Sequence, residues 1–460
     1  MVQRFDAIVI GAGQAGPPLA ERLTGAGKSV ALVEREHLGG TCVNDGCTPT
    51  KALVASAYAA FLARRHADFG VTISGEIGID MAAVKARKDA IVAASVASLS
   101  RWMQGMQGLT LFNGHARFVA PKRLRVGDEE LEAEHIFINV GGRPVVPDWP
   151  ALREIPYLTN TSIMAVDFVP PHLVVIGGSY VGLEFAQMYR RFGSRVTIVE
   201  QGERLISRED AEVSEAVREI LEREGIAVRC HAQCIDVAPH ADGVAVKMNC
   251  KEGEPENIGS HLLLAIGRRP NTDDLGLDAT GIRTNKRGYI EVDESLRTNV
   301  AGIWALGDVN GRGAFTHTSW NDNEIVAANL IDGEARRVSD RIPAYALYID
   351  PPLGRIGISE HEGREQGRKL LVGRMPMTRV GRARERGETL GFMKVLVDAD
   401  TRRILGAALL GVGGDEVVQG MLDLMYADAS ADVLARRAVH IHPTVYELLP
   451  TLLQGLKPLD

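Results

Sequence analysis

The sequence predicts an α/β chain in which one strand–turn–helix–strand unit occurs twice, closed by a smaller α+β domain. Three observations predict it. A glycine-rich turn at Gly11–Gly16 lies between an apolar run and a helical stretch. The arrangement returns 166 residues later at Gly177–Gly182. From about Arg341 onward, strand-like and helical runs continue with no glycine fingerprint.

Composition sets the frame. At roughly 150 residues per domain, the 460 residues make about three domains. The 45% apolar and 24% charged fractions are those of a globular chain. The 49 glycines exceed the usual ~7% and call for many tight turns. Net charge is −7 with no basic run, which argues against a nucleic-acid partner. No apolar stretch approaches the ~18 residues of a membrane span. The first strand begins almost at residue 1, so no leader is expected. Five cysteines are no disulfide scaffold. The expectation is a cytoplasmic chain, in which a Cys pair is more often redox-catalytic than structural.

In the first unit, Phe5–Ile10 reads as a strand, Pro17 to about Gly25 as a helix, and Val30–Val33 as a second strand ending in Glu34. Gly11 makes the tight turn, Gly13 lets a pyrophosphate approach the backbone, and Gly16 lets helix and strand pack closely. Glu34 is placed for a ribose diol. This is a Rossmann-like dinucleotide-binding unit. In the second, Leu173–Ile176 leads to Gly177, Gly178, Ser179 and Gly182, then Val196–Val199 and Glu200. Each first glycine stands 23 residues before its acid. The second copy departs at Ser179, where the middle glycine belongs.

Two dinucleotide sites in one chain point to a flavin adenine dinucleotide working with a nicotinamide dinucleotide. Further strands end where such ligands bind. His135–Val140 runs into Gly141-Gly142, Leu262–Ile266 into Gly267-Arg268, and Ile303–Leu306 into Gly307-Asp308. Asp308 is a candidate for a sugar hydroxyl; the alternative is a turn aspartate.

Soon after Glu34 comes Gly39-Gly40-Thr41-Cys42-Val43-Asn44-Asp45-Gly46-Cys47-Thr48-Pro49-Thr50-Lys51. Residues five apart on a straight helix rise about 7.5 Å, beyond the reach of a disulfide. Gly46 and the Gly39-Gly40 lead-in permit a distorted turn, and a bridge formed there is local and labile. Two free thiols or half of a metal site are the alternatives. No second cluster has zinc-like spacing. Cys230, Cys234 and Cys250 read as ordinary small residues.

With these motifs, the GRRPNT at Gly267 and the ALGDV at Ala305, the chain resembles the class I flavoprotein disulfide reductases, the pyridine nucleotide-disulfide oxidoreductases. The CTPTK segment is most similar to the mercuric reductase and dihydrolipoamide dehydrogenase branch. The resemblance implies FAD-binding parts at 1–144 and 269–341, an NAD(P)-binding domain at 145–268, and a dimerisation domain at 342–460. It implies that Cys47 faces the flavin as the charge-transfer thiolate and that Cys42 attacks an external disulfide. Lys51 matches a lysine near the flavin, paired with Glu184; the alternative is a solvated helix lysine. Tyr180 matches a tyrosine covering the nicotinamide; the alternative is plain packing. Gly40, Thr41, Gly142, Gly267 and Arg268 join the cofactor-binding set.

Thiolate chemistry wants a group titrating near neutral pH. His442-Pro443-Thr444, with Glu447, resembles the family's catalytic pair, the histidine coming from the partner of a homodimer. His442-Pro443 is a candidate cis peptide, and His440 is the competing histidine. Mercuric reductases carry a further cysteine pair near their C-terminus, and here no cysteine follows Cys250. The expected substrate is therefore a small disulfide, with a mercuric or other soft metal ion or a non-turnover redox sensor as alternatives. Glu200 repels a 2′-phosphate and favours NADH over NADPH, with Arg204 and Arg208 nearby. Arg379, Arg382, Arg384 and Arg386 read as a solvated strand edge with a charged turn rather than a substrate site.

Overall fold

The computed structural model describes residues 1–249 and 255–459; Cys250 lies outside them. In the first sheet Leu109–Asn113, Val30–Glu34, Val2–Ile10 and Glu129–Ile138 run parallel in that order, and Ile303–Ala305 joins parallel to the end of the last. The antiparallel pair Arg123–Val126 and Ala116–Ala120 continues the same side of the sheet from the start of Glu129–Ile138. The central strands bury Ile8, Val9, Leu32 and Phe137 completely, as strands covered on both faces do. The first strand starts at Val2 rather than Phe5 because its exposed, polar beginning still pairs with Glu130–Glu132. The strand expected at His135–Val140 stops at Ile138, and Gly141 at φ +63° turns the chain out.

A second parallel sheet orders Ala227–Arg229, Arg195–Val199, His172–Ile176 and His261–Leu264. The antiparallel strands Gln233–His240, Gly243–Asn249 and Glu256–Gly259 lie between Ala227–Arg229 and His261–Leu264 in the chain. The chain leaves the first sheet through Gly142–Pro144 and returns through Arg268–Pro270, and these two short strands pair antiparallel. The third sheet orders Ala344–Leu347, Leu353–Gly357, Ile404–Leu410, Phe392–Asp398, Leu370–Pro376 and Lys457–Pro458. The helix Gly414–Tyr426 packs against Leu353–Gly357 and Ile404–Leu410. The arginine cluster is not a strand edge. Arg379, Arg382 and Arg384 occupy two short helical turns, Met377–Arg379 and Gly381–Glu385, Arg386 follows the second, and Arg382 donates to the Pro443 carbonyl at 2.6 Å.

Candidate active site

The two glycine turns share one geometry. Gly11 and Gly177 have φ of +101° and +117°, and a Cβ on either would meet a carbonyl oxygen, of Asn139 at 2.4 Å or of Ala265 at 2.3 Å. A Cβ on Gly16 or Gly182 would lie 2.2 or 2.1 Å from the Gly11 or Gly177 oxygen. Only glycine fits these four places. Glu34 accepts from the backbone N–H of Ala12 at 2.8 Å, and Glu200 from that of Gly178 at 2.5 Å. Gly267 lies past the second sheet with its φ at +125° and accepts from the Val145 N–H.

A cavity of about 1020 Å³ runs along the first glycine turn, at the upper end of the ~300–1,000 Å³ usual for ligand sites. Gly11, Gly13, Glu34, Gly40, Thr41, Cys42, Cys47, Lys51, Gly142, Tyr180, Glu184, Arg268 and Asp308 all line it. The bare backbone at Gly13, with Gly40 folded so closely that a Cβ there would sit 3.0 Å from the Gly13 Cα, leaves room for a pyrophosphate. Glu34 and Asp308 offer carboxylates to sugar hydroxyls. These residues fit a flavin dinucleotide. Gly307-Asp308 is pinned from beneath, because buried Asp322 accepts from the Gly307 N–H at 2.7 Å and from Asn310 at 2.9 Å.

The cysteines sit on two helices. Gly40–Asn44 carries Cys42, and Cys47 opens the helix Cys47–Arg64. Gly46 breaks the path between them; a Cβ there would lie 2.7 Å from the Thr41 carbonyl. The break brings sulfurs together that a continuous helix would separate. Both are free thiols in hydrogen-bond contact. Cys47 is drawn down to about 6, first by the Cys42 thiol and then, against burial, by the Thr316 hydroxyl and the Lys51 ammonium. Cys42 is pushed far up, chiefly by donating to Cys47 and by burial. The Thr316 Oγ1 is 3.2 Å from the Cys47 Sγ. The position of Cys47 at a helix N-terminus favours the same thiolate.

One helical turn on, Lys51 meets Glu184 at 2.8 Å and lies 4.3 Å over the Tyr348 ring. Glu184 is held on its other side by the Tyr348 N–H at 3.0 Å. Glu184 and Tyr180 share the helix Tyr180–Phe192. Thr316, Asp322 and Tyr348 escaped sequence reasoning, since each is an ordinary residue until the fold brings it near.

His442 and Glu447 pair at 2.8 Å next to a cis His442-Pro443 bond. The His442 side chain is 81% exposed and does not line the cavity of its own chain. His440 instead packs against the Tyr446 ring at 5.0 Å. Neighbouring Val439 and Ile441 are exposed as well. Among the described residues no three His, Cys, Asp or Glu side chains group as a metal site, and no helix is long and apolar enough to cross a membrane.

Known proteins match the chain from end to end. A family model for pyridine nucleotide-disulphide oxidoreductases matches residues 5–322, and one for their dimerisation domain matches 343–453. The probable pyridine nucleotide-disulfide oxidoreductase RclA of Escherichia coli is 34% identical, over 99% of this chain and 100% of its own. Mercuric reductase of Streptomyces lividans is 33% identical over 97% and 94%, and dihydrolipoyl dehydrogenase of Thermus scotoductus 31% over 99% and 98%. The solved structure of the HOCl-induced flavoprotein disulfide reductase RclA superposes with a TM-score of 0.89 at 33% identity, covering 98% of this chain and all of that one. RclA has also been solved as a Cu(II) complex, with the same TM-score.

Proposed function

The chain belongs to the pyridine nucleotide-disulphide oxidoreductases, which are FAD-dependent enzymes, and from that membership we propose that it carries electrons from a reduced nicotinamide dinucleotide, through FAD, to a Cys42–Cys47 disulfide and on to a small-molecule disulfide. One observation carries the reading. The two thiols meet on the wall of the cavity that suits the flavin, and the one held as a thiolate is Cys47.

When bound, FAD supplies the carrier that accepts a hydride and returns an electron pair to the disulfide. The chain's own residues do the rest. In the dithiol form, His442 of the partner subunit takes the Cys42 proton, and the Cys42 sulfur attacks the substrate disulfide. That forms a mixed disulfide and expels one substrate thiolate, which the imidazolium protonates. The Cys47 thiolate then attacks the Cys42 sulfur, closes the Cys42–Cys47 bond and releases the second half of the substrate as a thiolate, which takes a proton from solvent. Glu447 orients the imidazole. Glu184 holds the Lys51 ammonium, the positive charge beside Cys47, in place. The exposed His442 and Val439–Ile441 strip on the family's dimerisation domain supports a homodimer sharing the site.

Glu200 favours NADH. Both its oxygens accept backbone N–H groups, from Gly178 and Gly202 at 2.5 and 2.6 Å, as a ribose-binding carboxylate in place would. One guanidinium nitrogen of Arg204 donates to the carbonyls of Ser207 and Glu209 at 3.3 and 3.4 Å.

The Cu(II) complex of RclA and the mercuric reductase relative support a second reading, reduction of a soft metal ion met by the same two thiols. Anaerobic titration with NADH, and separately NADPH, tests the first. A long-wavelength absorbance band after two electrons is expected, with NADH the better donor. Bleaching of the flavin without that band would overturn the thiolate–flavin contact.

A further inference from the structure

A buried carboxylate stands behind Tyr180. The Glu209 side chain is 0% exposed. Its Oε1 accepts from the Tyr345 hydroxyl at 2.6 Å and from the Tyr180 hydroxyl at 3.3 Å. Its Oε2 lies 3.4 Å from Nε of Arg355, itself 3% exposed. Tyr345 and Arg355 belong to Ala344–Leu347 and Leu353–Gly357 of the third sheet. The rings complete the cluster. Tyr180 stands edge-on to Tyr345 at 5.6 Å and to Phe315 at 6.3 Å, and Phe315 stacks on Tyr345 at 5.5 Å.

Of these polar groups only Tyr180 lines the cavity. A fully buried carboxylate is costly unless every lone pair finds a partner. Apolar packing would hold the two domains together without it. Glu209 is held by two phenol hydrogen bonds on one oxygen and by the Arg355 charge on the other, and what a buried polar network of this kind adds is one defined geometry. The segment bearing Glu209 is also tied to the glycine turn that precedes Tyr180, because the Ile206 N–H donates to the Gly178 carbonyl at 2.9 Å.

We propose that Glu209 and Tyr345 are positioning residues for hydride delivery: they fix the Tyr180 phenol against the nicotinamide, so that a strand of the third domain sets the geometry of a site in the second. This rests on Tyr180 covering the nicotinamide, as the family resemblance implies. Lys394, whose ammonium lies 2.9 Å from Asp210 next door, keeps the adjoining charge paired and leaves Glu209 to Arg355 and the phenols.

The FAD-loaded enzyme is made as Tyr345→Phe, Glu209→Gln, Tyr180→Phe, Tyr180→Ala and the double variant Tyr180→Phe/Tyr345→Phe. Two readouts are taken: NAD⁺ binding by calorimetry, and anaerobic flavin reduction by NADH. Thiol reactivity of the dithionite-reduced enzyme towards dithiobis-nitrobenzoate is the control. Tyr345→Phe and Glu209→Gln are expected to weaken NAD⁺ binding about fivefold, the worth of one net hydrogen bond. Flavin reduction should slow about tenfold, as for a misplaced reactant. Thiol reactivity should stay at the parental level, and Tyr180→Phe should add nothing to Tyr345→Phe. Tyr345→Phe keeps the Glu209–Arg355 pair and carries the test if Glu209→Gln does not fold. Parental binding and reduction in Tyr345→Phe, with Tyr180→Ala impaired, overturns the proposal alone. Parental behaviour of Tyr180→Ala overturns the reading of Tyr180 and the proposal with it. Loss of thiol reactivity alongside flavin reduction reduces the cluster to a general structural support and also overturns it.

Discussion

The two dinucleotide units are near copies in their turns and differ in the residues past the acid. Each has a positive-φ first glycine, a last glycine with no room for a Cβ, and an acid whose carboxylate accepts an N–H of the turn. In each, the chain past the acid folds back onto the turn at the same place. Gly39 N–H donates to the Ala12 carbonyl at 2.8 Å, and Ile206 N–H to the Gly178 carbonyl at 2.9 Å. In the first unit that return delivers Cys42 and Cys47. In the second it delivers Glu209. The duplicated frame provides the cradle, and the few residues after the acid decide what each cradle does.

The largest effect should break the first unit alone. Cys42→Ser and Cys47→Ser each lose disulfide turnover at least about a thousandfold, while NADH still reduces the flavin. The long-wavelength band survives in Cys42→Ser and vanishes in Cys47→Ser; a band retained in Cys47→Ser would reverse the assignment. His442→Ala should cost disulfide turnover about a hundredfold, as loss of a general acid–base does, and leave flavin reduction by NADH intact in stopped-flow traces.

Matched alanines separate the two cradles. Gly16→Ala and Gly182→Ala each force a Cβ to about 2 Å from a backbone oxygen, a strain worth about 1–3 kcal/mol. The first should purify with little flavin, read from its visible spectrum. The second should stay yellow and bind NAD⁺ weakly by calorimetry. Smaller still is the role of Thr316. The Cys47 thiolate lies well below its ordinary 9.0, at about 6. Its band should persist above about pH 6 and fade as pH falls through it, and Thr316→Val should move that midpoint upward in a spectroscopic titration. The smallest effect sharpens the likeness of the units: Ser179→Gly restores the middle glycine, and the KM for NADH should change less than about threefold, the scale of one weak contact.

The turns were legible because each glycine has a local reason that shows in the residue type itself: a positive φ at Gly11 and Gly177, and at Gly16 and Gly182 a Cβ clash with a backbone oxygen five residues back. The Cys42–Cys47 segment was legible for the same reason, and Gly46 named the break in the helix. Lys51–Glu184 was legible only through family resemblance, because 133 residues separate the partners. Thr316, 269 residues from Cys47, carried no signal at all. Glu209 and Tyr345 carried no signal either, because only the fold brings them together across 136 residues. The arginine cluster misled because alternating charge suits a strand edge and a short helical turn equally.

The paired crossings Gly142–Pro144 and Arg268–Pro270 carry one more consequence. Antiparallel partners stand about 5 Å apart, so everything between residues 144 and 268 leaves and re-enters its host at a single point. Such a segment is an exchangeable cassette in protein-engineering terms. Its two ends are already closed, so a substitute with equally close ends adds little loop entropy. Donor choice could then be regrafted while the sulfur chemistry of the host stays as it is, provided the incoming piece brings one acid for Lys51, in the place of Glu184, and another for Arg355 and Tyr345 to hold.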